Sequence, residues 1–100
     1  MKDYASMSDY EIAEKIGKAI GLVSVAGDLY IKNGVWARFD PCNNPADAWP
    51  VILQSKISIF ALDDDDWGAR GYNCIIRSIN PNPLRAAMEL FLKMKESEND

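Results

Sequence analysis

The chain has 100 residues, of which 48% are hydrophobic and 26% are charged, a composition typical of a soluble globular protein of about one domain. It contains no histidine, which excludes Ser-His and Cys-His nucleophile pairs, histidine-bound zinc and acid-base catalysis by histidine. The net charge is −4, and no cluster of Lys and Arg offers the attraction that supplies most nucleic-acid affinity, which argues against direct nucleic-acid binding. We therefore expect a single domain over residues 1–100.

The N-terminal segment carries charged residues and no apolar run, so we expect no secretory signal. The longest uncharged stretch, Ala19–Gly27, is far shorter than the roughly 18 apolar residues of a membrane-spanning helix. The two cysteines, Cys42 and Cys74, are too few for a disulfide framework, and we interpret both as free thiols. These features predict a soluble cytoplasmic protein without membrane contact.

Two local signals define the N-terminal part of the fold. Ser8-Asp9-Tyr10-Glu11 fits a helix capping box and is followed by apolar residues at helical spacing, which predicts a first helix over 9–20. Asn33-Gly34 is a favoured two-residue hairpin turn and lies between two apolar segments. It predicts a β-hairpin in which strand 28–32 pairs with strand 35–39.

A second helix start is followed at once by a conflicting signal. Asn44-Pro45-Ala46-Asp47 has asparagine at the N-cap, proline at the first helical position and an acid in the first turn. Pro50 opposes this helix because its ring would clash with the carbonyl of Ala46, and because it disfavours helical angles at Trp49. The sequence predicts one turn, a kink at Trp49-Pro50 and a short helix to about Ser55.

The third quarter of the chain is predicted to contain strands and a loop. Ile57, Ile59 and Ala61 alternate with Ser58 and Phe60, which suits a strand over 57–61. The acidic run Asp63–Asp66 and the segment Gly68–Gly71 are expected to form a loop. A further strand is expected over 74–77.

The last helix carries the clearest pattern. Asn82-Pro83 repeats the cap-then-proline start, and the apolar stripe that follows predicts a helix over 83–96. The tail 97–100 is expected to fray. Together these elements predict an α+β fold with three helices and a small antiparallel sheet, in the order α-β-β-α-β-β-α.

The acidic run Asp63–Asp66 is the one concentration of charge. Carboxylates are the ligands that Mg²⁺ and Ca²⁺ prefer, but four consecutive acids cannot all reach one ion, and EF-hand spacing is absent. We interpret the run as a solvated loop. The alternative is an acidic patch beside Trp67 that docks on a basic partner or mimics the charge of a nucleic acid. Two cysteines are too few for a Cys-only zinc site, and the common phosphate-binding loops are missing. No metal and no cofactor are predicted.

Cysteine and tryptophan each permit a functional and a structural interpretation. Cys42 precedes a helix start, where a thiol pKa can be lowered, but no base is at hand, and we favour an inert buried thiol. The tryptophans Trp36, Trp49 and Trp67 could stack on a ligand. Aromatic residues in so small a domain are more often part of the core, and we favour that interpretation.

Arg85 lies in the first turn of the last helix, where a cation meets the positive end of the helix dipole at a cost of about 0.3–1 kcal/mol. An anion must compensate, and we favour an ion pair with Asp47 over an anionic ligand. We expect segment 43–50 and Arg85 to meet and to form the functional surface. The candidate binding residues are Asn43, Asn44, Asp47, Trp49 and Arg85.

Three groups of residues carry a resemblance to a known family. They are Met7–Ile12, then Cys42–Pro50 with Ile57-Ser58-Ile59, and finally Asn82–Met88 with Phe91, Leu92 and Met94. In this order they resemble the NinX-like family of small proteins carried by lambdoid bacteriophages and prophages, whereas the hairpin and 63–79 match it loosely. The resemblance implies a phage accessory protein of the bacterial cytoplasm, and it implies no catalytic residue and no cofactor.

Two functions remain open on this evidence. The first is a non-catalytic interaction module, which could be a homo-oligomer, with an unknown phage or host protein as its partner. The alternative is a small-molecule or nucleotide-binding protein that uses Asn43–Pro50 and Arg85. A concave pocket lined by Asn43, Asn44, Trp49 and Arg85 would favour the second function, and a flat apolar patch would favour the first.

Overall fold

Three helices and six strands follow one another in the order α-β-β-β-α-β-β-β-α in the computed structural model, which describes residues 3–27, 29–32, 34–72 and 75–98. The α+β class is confirmed, with one more strand in each half than predicted and two sheets in place of one. A 3-10 turn, Tyr4–Ser6, precedes α1. The elements are α1 (Asp9–Ala19), β1 (Val23–Ala26), β2 (Leu29–Lys32), β3 (Val35–Arg38), α2 (Pro45–Ser55), β4 (Ser58–Ala61), β5 (Trp67–Arg70), β6 (Arg77–Asn80) and α3 (Pro83–Glu98).

The start of α1 follows the predicted capping box. The Ser8 hydroxyl accepts a hydrogen bond from the Glu11 amide at 3.1 Å, and the Glu11 carboxylate accepts one from the Ser8 amide at 3.4 Å. Two helical amides that have no partner inside the helix are thereby satisfied. The helix ends at Ala19, one residue before the predicted end, and Gly21 follows with a positive φ of 85°.

The first sheet contains three antiparallel strands in the order β1-β2-β3. Lys32 lies opposite Val35, as the predicted two-residue hairpin turn requires. Asp28 and Asn33, which the hairpin prediction also included, lie outside the described residues. The strand Val23–Ala26, whose four residues are all exposed, was not predicted.

The predicted division of the second helix into a single turn and a short helix is wrong, since α2 runs unbroken from Pro45 to Ser55 with Pro50 inside it. Pro50 and Ala46 are both exposed, so water can bind the Ala46 carbonyl that loses its amide donor. On the opposite side the helix is held against the core by buried residues. These are Ala48, Val51 and Ile52.

The second sheet, in the order β4-β5-β6, corrects two predictions. Trp67–Arg70 was expected to be a loop but forms the central strand, and the last strand is Arg77–Asn80 rather than 74–77. The glycine that suggested a loop, Gly68, is covered by Phe60, and a Cβ atom at this glycine would lie 2.5 Å from that ring. The ring fills the space that the glycine leaves, which lets the strand continue.

The longest helix, α3, forms the centre of the domain. It packs against the second sheet on one side and against α1 and α2 on the other, and residues 85–92 are all buried. It extends to Glu98, two residues beyond the predicted end. The first sheet joins this core through Tyr30, whose ring contacts Gly17 and packs edge-on against Phe39 at 5.8 Å between centroids.

Candidate functional site

Asn82 fixes the start of α3 and ties it to the loop before α2. Its side-chain oxygen accepts hydrogen bonds from the amides of Leu84 at 2.9 Å and Arg85 at 3.4 Å, which caps the helix as the sequence predicts. Its side-chain nitrogen donates to the Cys42 carbonyl at 2.7 Å. The loop before α2 and the start of α3 therefore meet at Cys42 and Asn82.

The Arg85 guanidinium makes four hydrogen bonds inside the protein. It donates to the Asp9 carboxylate at 2.6 Å and to the Glu89 carboxylate at 2.7 Å. Two further hydrogen bonds go to the main-chain carbonyls of Tyr4 and Met7. Only 10% of the Arg85 side chain is exposed. Burial alone would lower the pKa of Arg85, but the hydrogen bonds to Asp9 and Glu89 and the charge of Glu89 raise it.

The expected anionic partners of Arg85 are present, but the expected pair with Asp47 is wrong. Glu89 lies four residues after Arg85 on the same helix, where the two side chains are always within reach of one another. Asp9 comes from the first turn of α1, and its position depends on how the helices pack. Sequence reasoning could have found Glu89 from its spacing, whereas no local signal indicated Asp9.

Asp47 belongs to a separate set of contacts. Its carboxylate pairs with Lys32 at 3.4 Å and accepts hydrogen bonds from the Asp40 amide at 3.0 Å and the Asn44 side chain at 3.3 Å. Asn44 also accepts from the Ala46 amide at 3.0 Å, which makes it the N-cap of α2. These two residues join the first sheet to α2, and Asp47 retains 8% exposure.

Asn43 connects two carboxylates beside Arg85. Its side-chain nitrogen donates to Asp9 at 3.1 Å and to both carboxylate oxygens of Asp40, at 3.2 and 3.1 Å. Burial alone would raise the pKa of the Asp9 carboxyl, but hydrogen bonds from Asn43 and Arg85 hold it below its ordinary value. Asp9, Asn43 and Arg85 come from the three segments that carry the family resemblance, so those segments converge on this cluster.

Cys42 is a buried free cysteine. Burial raises the pKa of its thiol to about 12, and the nearby Asp9 carboxylate raises it further. Such a thiol stays protonated at neutral pH, which agrees with the inert interpretation. Cys74 lies outside the described residues.

Trp49 lies away from the Arg85 cluster. It is 56% exposed and lines a groove of about 390 Å³ together with Leu53, Lys56 and Ile59. The interpretation of the tryptophans as core residues is therefore wrong for Trp49, and also for Trp36 and Trp67, which are 67% and 39% exposed. The five candidate residues divide among three places: the Arg85 cluster with Asn43, the Asp47 contacts with Asn44, and this groove.

A pocket of about 140 Å³ adjoins the Arg85 cluster. The carboxylates of Asp9 and Asp40 and the rings of Tyr30 and Phe39 line it, together with Tyr10. Carboxylates and aromatic faces suit a small cation and repel a phosphate. The arrangement therefore does not offer the anion site that a nucleotide would need at Arg85.

The acidic run forms a turn before β5. The Asp63 carboxylate accepts hydrogen bonds from the amides of Asp65 at 2.9 Å and Asp66 at 2.8 Å, which closes the turn. Within the described ranges, no group of three or more Cys, Asp or Glu side chains is placed to hold a metal ion. The absence of tight zinc or calcium binding stays a prediction.

The fold and the cluster define a small α+β protein whose polar residues clamp its own helices together, and within its described part no helix is long and apolar enough to cross a membrane. Residues 3–95 match the model of the protein family described as Bacteriophage P22, NinX. The chain belongs to this family, which confirms the resemblance seen in the sequence. No curated protein matches the chain.

Proposed function

We propose that this chain is a non-catalytic interaction module of a phage, and that it acts in the bacterial cytoplasm by binding a phage or host protein. The observation that carries the proposal is a row of exposed apolar side chains across all three strands of the first sheet. Val23 lies opposite Ile31, and Ile31 lies opposite Trp36. Their side chains are 60%, 40% and 67% exposed.

The row lies on the outer face of the sheet. Successive residues of a strand point to opposite faces, and Tyr30, which precedes Ile31, is 3% exposed and packs into the core. Single exposed apolar residues are common on protein surfaces, but a contiguous apolar patch marks an interaction site. Tryptophan is enriched among the residues that dominate binding energy. The expected partner is a protein with an apolar recess that receives Trp36.

The alternative function is that of a small-molecule or nucleotide-binding protein. The polar cluster around Arg85 supports it less well than the exposed apolar row supports an interaction module. An anionic ligand at Arg85 would have to displace Asp9 and Glu89, both of which lie within 2.7 Å of the guanidinium. Asn43, Asn44 and Asp47 are likewise engaged with neighbouring residues. Cys42, with its raised pKa, is not a nucleophile at neutral pH. These contacts favour a structural role for the cluster and a chain without catalytic activity.

A photo-crosslinking amino acid at position 36 tests the proposal in phage-infected cells. The matched control is the same amino acid at Val35, the adjacent residue of β3, which is 63% exposed and points to the opposite face. We expect a discrete crosslinked protein from position 36 and none from position 35. Crosslinks of equal yield from both positions, or from neither, would contradict the proposal.

A further inference from the structure

Two arginines lie directly opposite each other in the second sheet. Arg70 of β5 is paired with Arg77 of β6. Gly71 donates its amide to the Ile76 carbonyl at 3.4 Å, which makes the neighbouring pair a hydrogen-bonded one. By alternation the two arginines form a non-hydrogen-bonded pair, in which Cα atoms lie about 4.5 Å apart and side chains are closest. Like charges at opposite positions destabilise a sheet, and an anion between the two guanidinium groups would offset this repulsion.

Both arginine side chains are exposed and lack a protein partner within the described part of the chain. Their strand neighbours Ala69 and Ser78 are 0% and 3% exposed, so Arg70 and Arg77 point to the outer face of the sheet. The ion pairs of the described residues use other cations, and neither guanidinium donates a hydrogen bond there. The pair is therefore available to a group outside the chain.

An aromatic ring lies on the same face beside the arginines. Phe60 of β4 is opposite Gly68 of β5. A Cβ atom at Gly68 would lie 2.5 Å from the Phe60 ring, so the ring covers that glycine on the outer face. The side chain is 37% exposed, and because one side of the ring rests on the glycine, the exposed part is turned away from the sheet. Gly68 is two residues from Arg70, which places the ring roughly 7 Å from the cations along the strand.

A third cation and a second ring lie just beyond β5. The Lys56 ammonium group is 5.1 Å from the centre of the Tyr72 ring, and Tyr72 follows Arg70 by two residues and is 68% exposed. The three cations come from positions 56, 70 and 77, so no segment of the sequence groups them. The expectation against direct nucleic-acid binding rested on the lack of such a segment. The register of the sheet brings together charges that are far apart in the sequence.

The acidic run lies at the other end of the same sheet. It forms the turn between β4 and β5, and Arg70 follows Asp66 by four residues, or roughly 13 Å of extended strand. This distance exceeds the Debye length of about 8 Å at physiological ionic strength. The arginine end of the sheet therefore attracts an anion although the net charge of the chain is −4.

We propose that this face binds single-stranded nucleic acid, with a phosphate between Arg70 and Arg77 and a base stacked on Phe60. Cations beside exposed aromatic rings are the means by which proteins hold single strands without sequence preference, and a β-sheet is a common platform for them. A double helix keeps its bases stacked on one another and offers no base face to the ring.

Two other anionic ligands fit this face less well. A free nucleotide requires a concave site that buries most of its surface, whereas these residues lie on the open face of a sheet. An acidic peptide would occupy the arginines and leave the Phe60 ring unused. A single strand uses both, since each nucleotide carries a charge and a flat ring.

Fluorescence anisotropy with labelled oligothymidine and oligouridine of about 12 nucleotides tests the proposal on the purified full chain at roughly 50 mM salt. We expect binding of a single strand that weakens as salt rises, because phosphate contacts release counterions. The matching duplex and a polyaspartate peptide of equal charge should bind at least roughly tenfold more weakly, since neither offers a base to stack. Absence of binding to both oligonucleotides would overturn the proposal. Equal affinity for polyaspartate would assign the face to an acidic peptide and would also overturn it.

Single substitutions separate the cations from the ring. Arg70→Gln and Arg77→Gln should each weaken binding roughly tenfold and reduce its salt dependence, because each removes a phosphate contact. Phe60→Leu keeps an apolar side chain over Gly68 and should weaken binding roughly tenfold with its salt dependence unchanged, because only stacking is lost. Lys18→Gln, which removes an exposed cation from α1, is the matched control and should bind like the unmodified chain.

Thermal unfolding of each variant shows that it is folded before its binding is compared. Equal losses of affinity in all four variants would indicate attraction by net charge alone and would contradict the site. The nucleic-acid face belongs to the second sheet and the surface at Trp36 to the first, so the failure of one proposal leaves the other intact.

Discussion

At the scale of the residue, Arg85 joins three parts of the chain that lie far apart in sequence. It holds the N-terminal turn through Tyr4 and Met7, α1 through Asp9, and its own helix through Glu89. The need for an anion at this position follows from the helix dipole and was predictable. Its identity was not, because the distance to Asp9 is set by the packing of α1 on α3.

Arg85→Ala is expected to lower the free energy of unfolding by about 3 kcal/mol, because it leaves the nearly buried Glu89 carboxylate without its cation. Denaturant unfolding measures the change. Adding Glu89→Gln should recover part of the loss, since the unpaired charge is removed. Lys95→Ala, which breaks the exposed pair with Glu98, is the control and should cost less than about 0.5 kcal/mol. An equal effect of Arg85→Ala and Lys95→Ala would contradict the conclusion that the Arg85 cluster holds the helices together.

Tyr4 should make stability depend on pH in the alkaline range. Burial and a hydrogen bond to Glu96 at 2.9 Å raise the pKa of its hydroxyl from 10.0 to about 12. Because the folded pKa is above the unfolded one, the stabilisation is complete below pH 10 and is lost as pH rises towards 12. Tyr4→Phe should weaken this decline when unfolding is followed against pH. A decline as steep as that of the unmodified chain would show that Tyr4 does not cause it.

At the scale of the element, the sequence predicts those parts of the fold that depend only on residues adjacent in the chain. Three features are each determined within a few residues of sequence. They are the capping box of α1, the register of β2 with β3 that the Asn33-Gly34 pair predicts, and the start of α3. The strand β5 escaped prediction because Gly68 becomes part of a sheet only when Phe60, from another strand, covers it. The candidate site divided for the same reason, since Trp49 and Asp47 lie on one helix but face different neighbours.

Pro50 in α2 allows a direct test of the unbroken helix. Pro50→Ala restores an amide donor inside the helix and should raise the free energy of unfolding by roughly 1–2 kcal/mol, once the gain in unfolded-state entropy is subtracted. Pro45→Ala, at the first helical position where proline is favoured, should give no gain. Equal effects of the two substitutions in thermal unfolding would indicate that the helix is interrupted at Pro50.

At the scale of the whole molecule, apolar side chains form the core, a small polar cluster is buried beside them, and further apolar side chains lie exposed on the surface. The Arg85 cluster holds the helices together, and exposed apolar side chains lie on the outer face of the first sheet. An enzyme pocket has a different arrangement, in which a few polar side chains point into an open cavity. The distribution in this chain is the one that the proposed interaction role requires.

The most direct test of this account is the affinity of the protein captured at position 36 for three purified chains. Trp36→Ala is expected to weaken binding by at least about 2 kcal/mol, or roughly thirtyfold, while leaving stability unchanged because the side chain is 67% exposed. Tyr10→Ala, an exposed aromatic residue on α1, is the control and should bind like the unmodified chain. Unaltered affinity of the Trp36→Ala chain would contradict the claim that the first sheet carries the function.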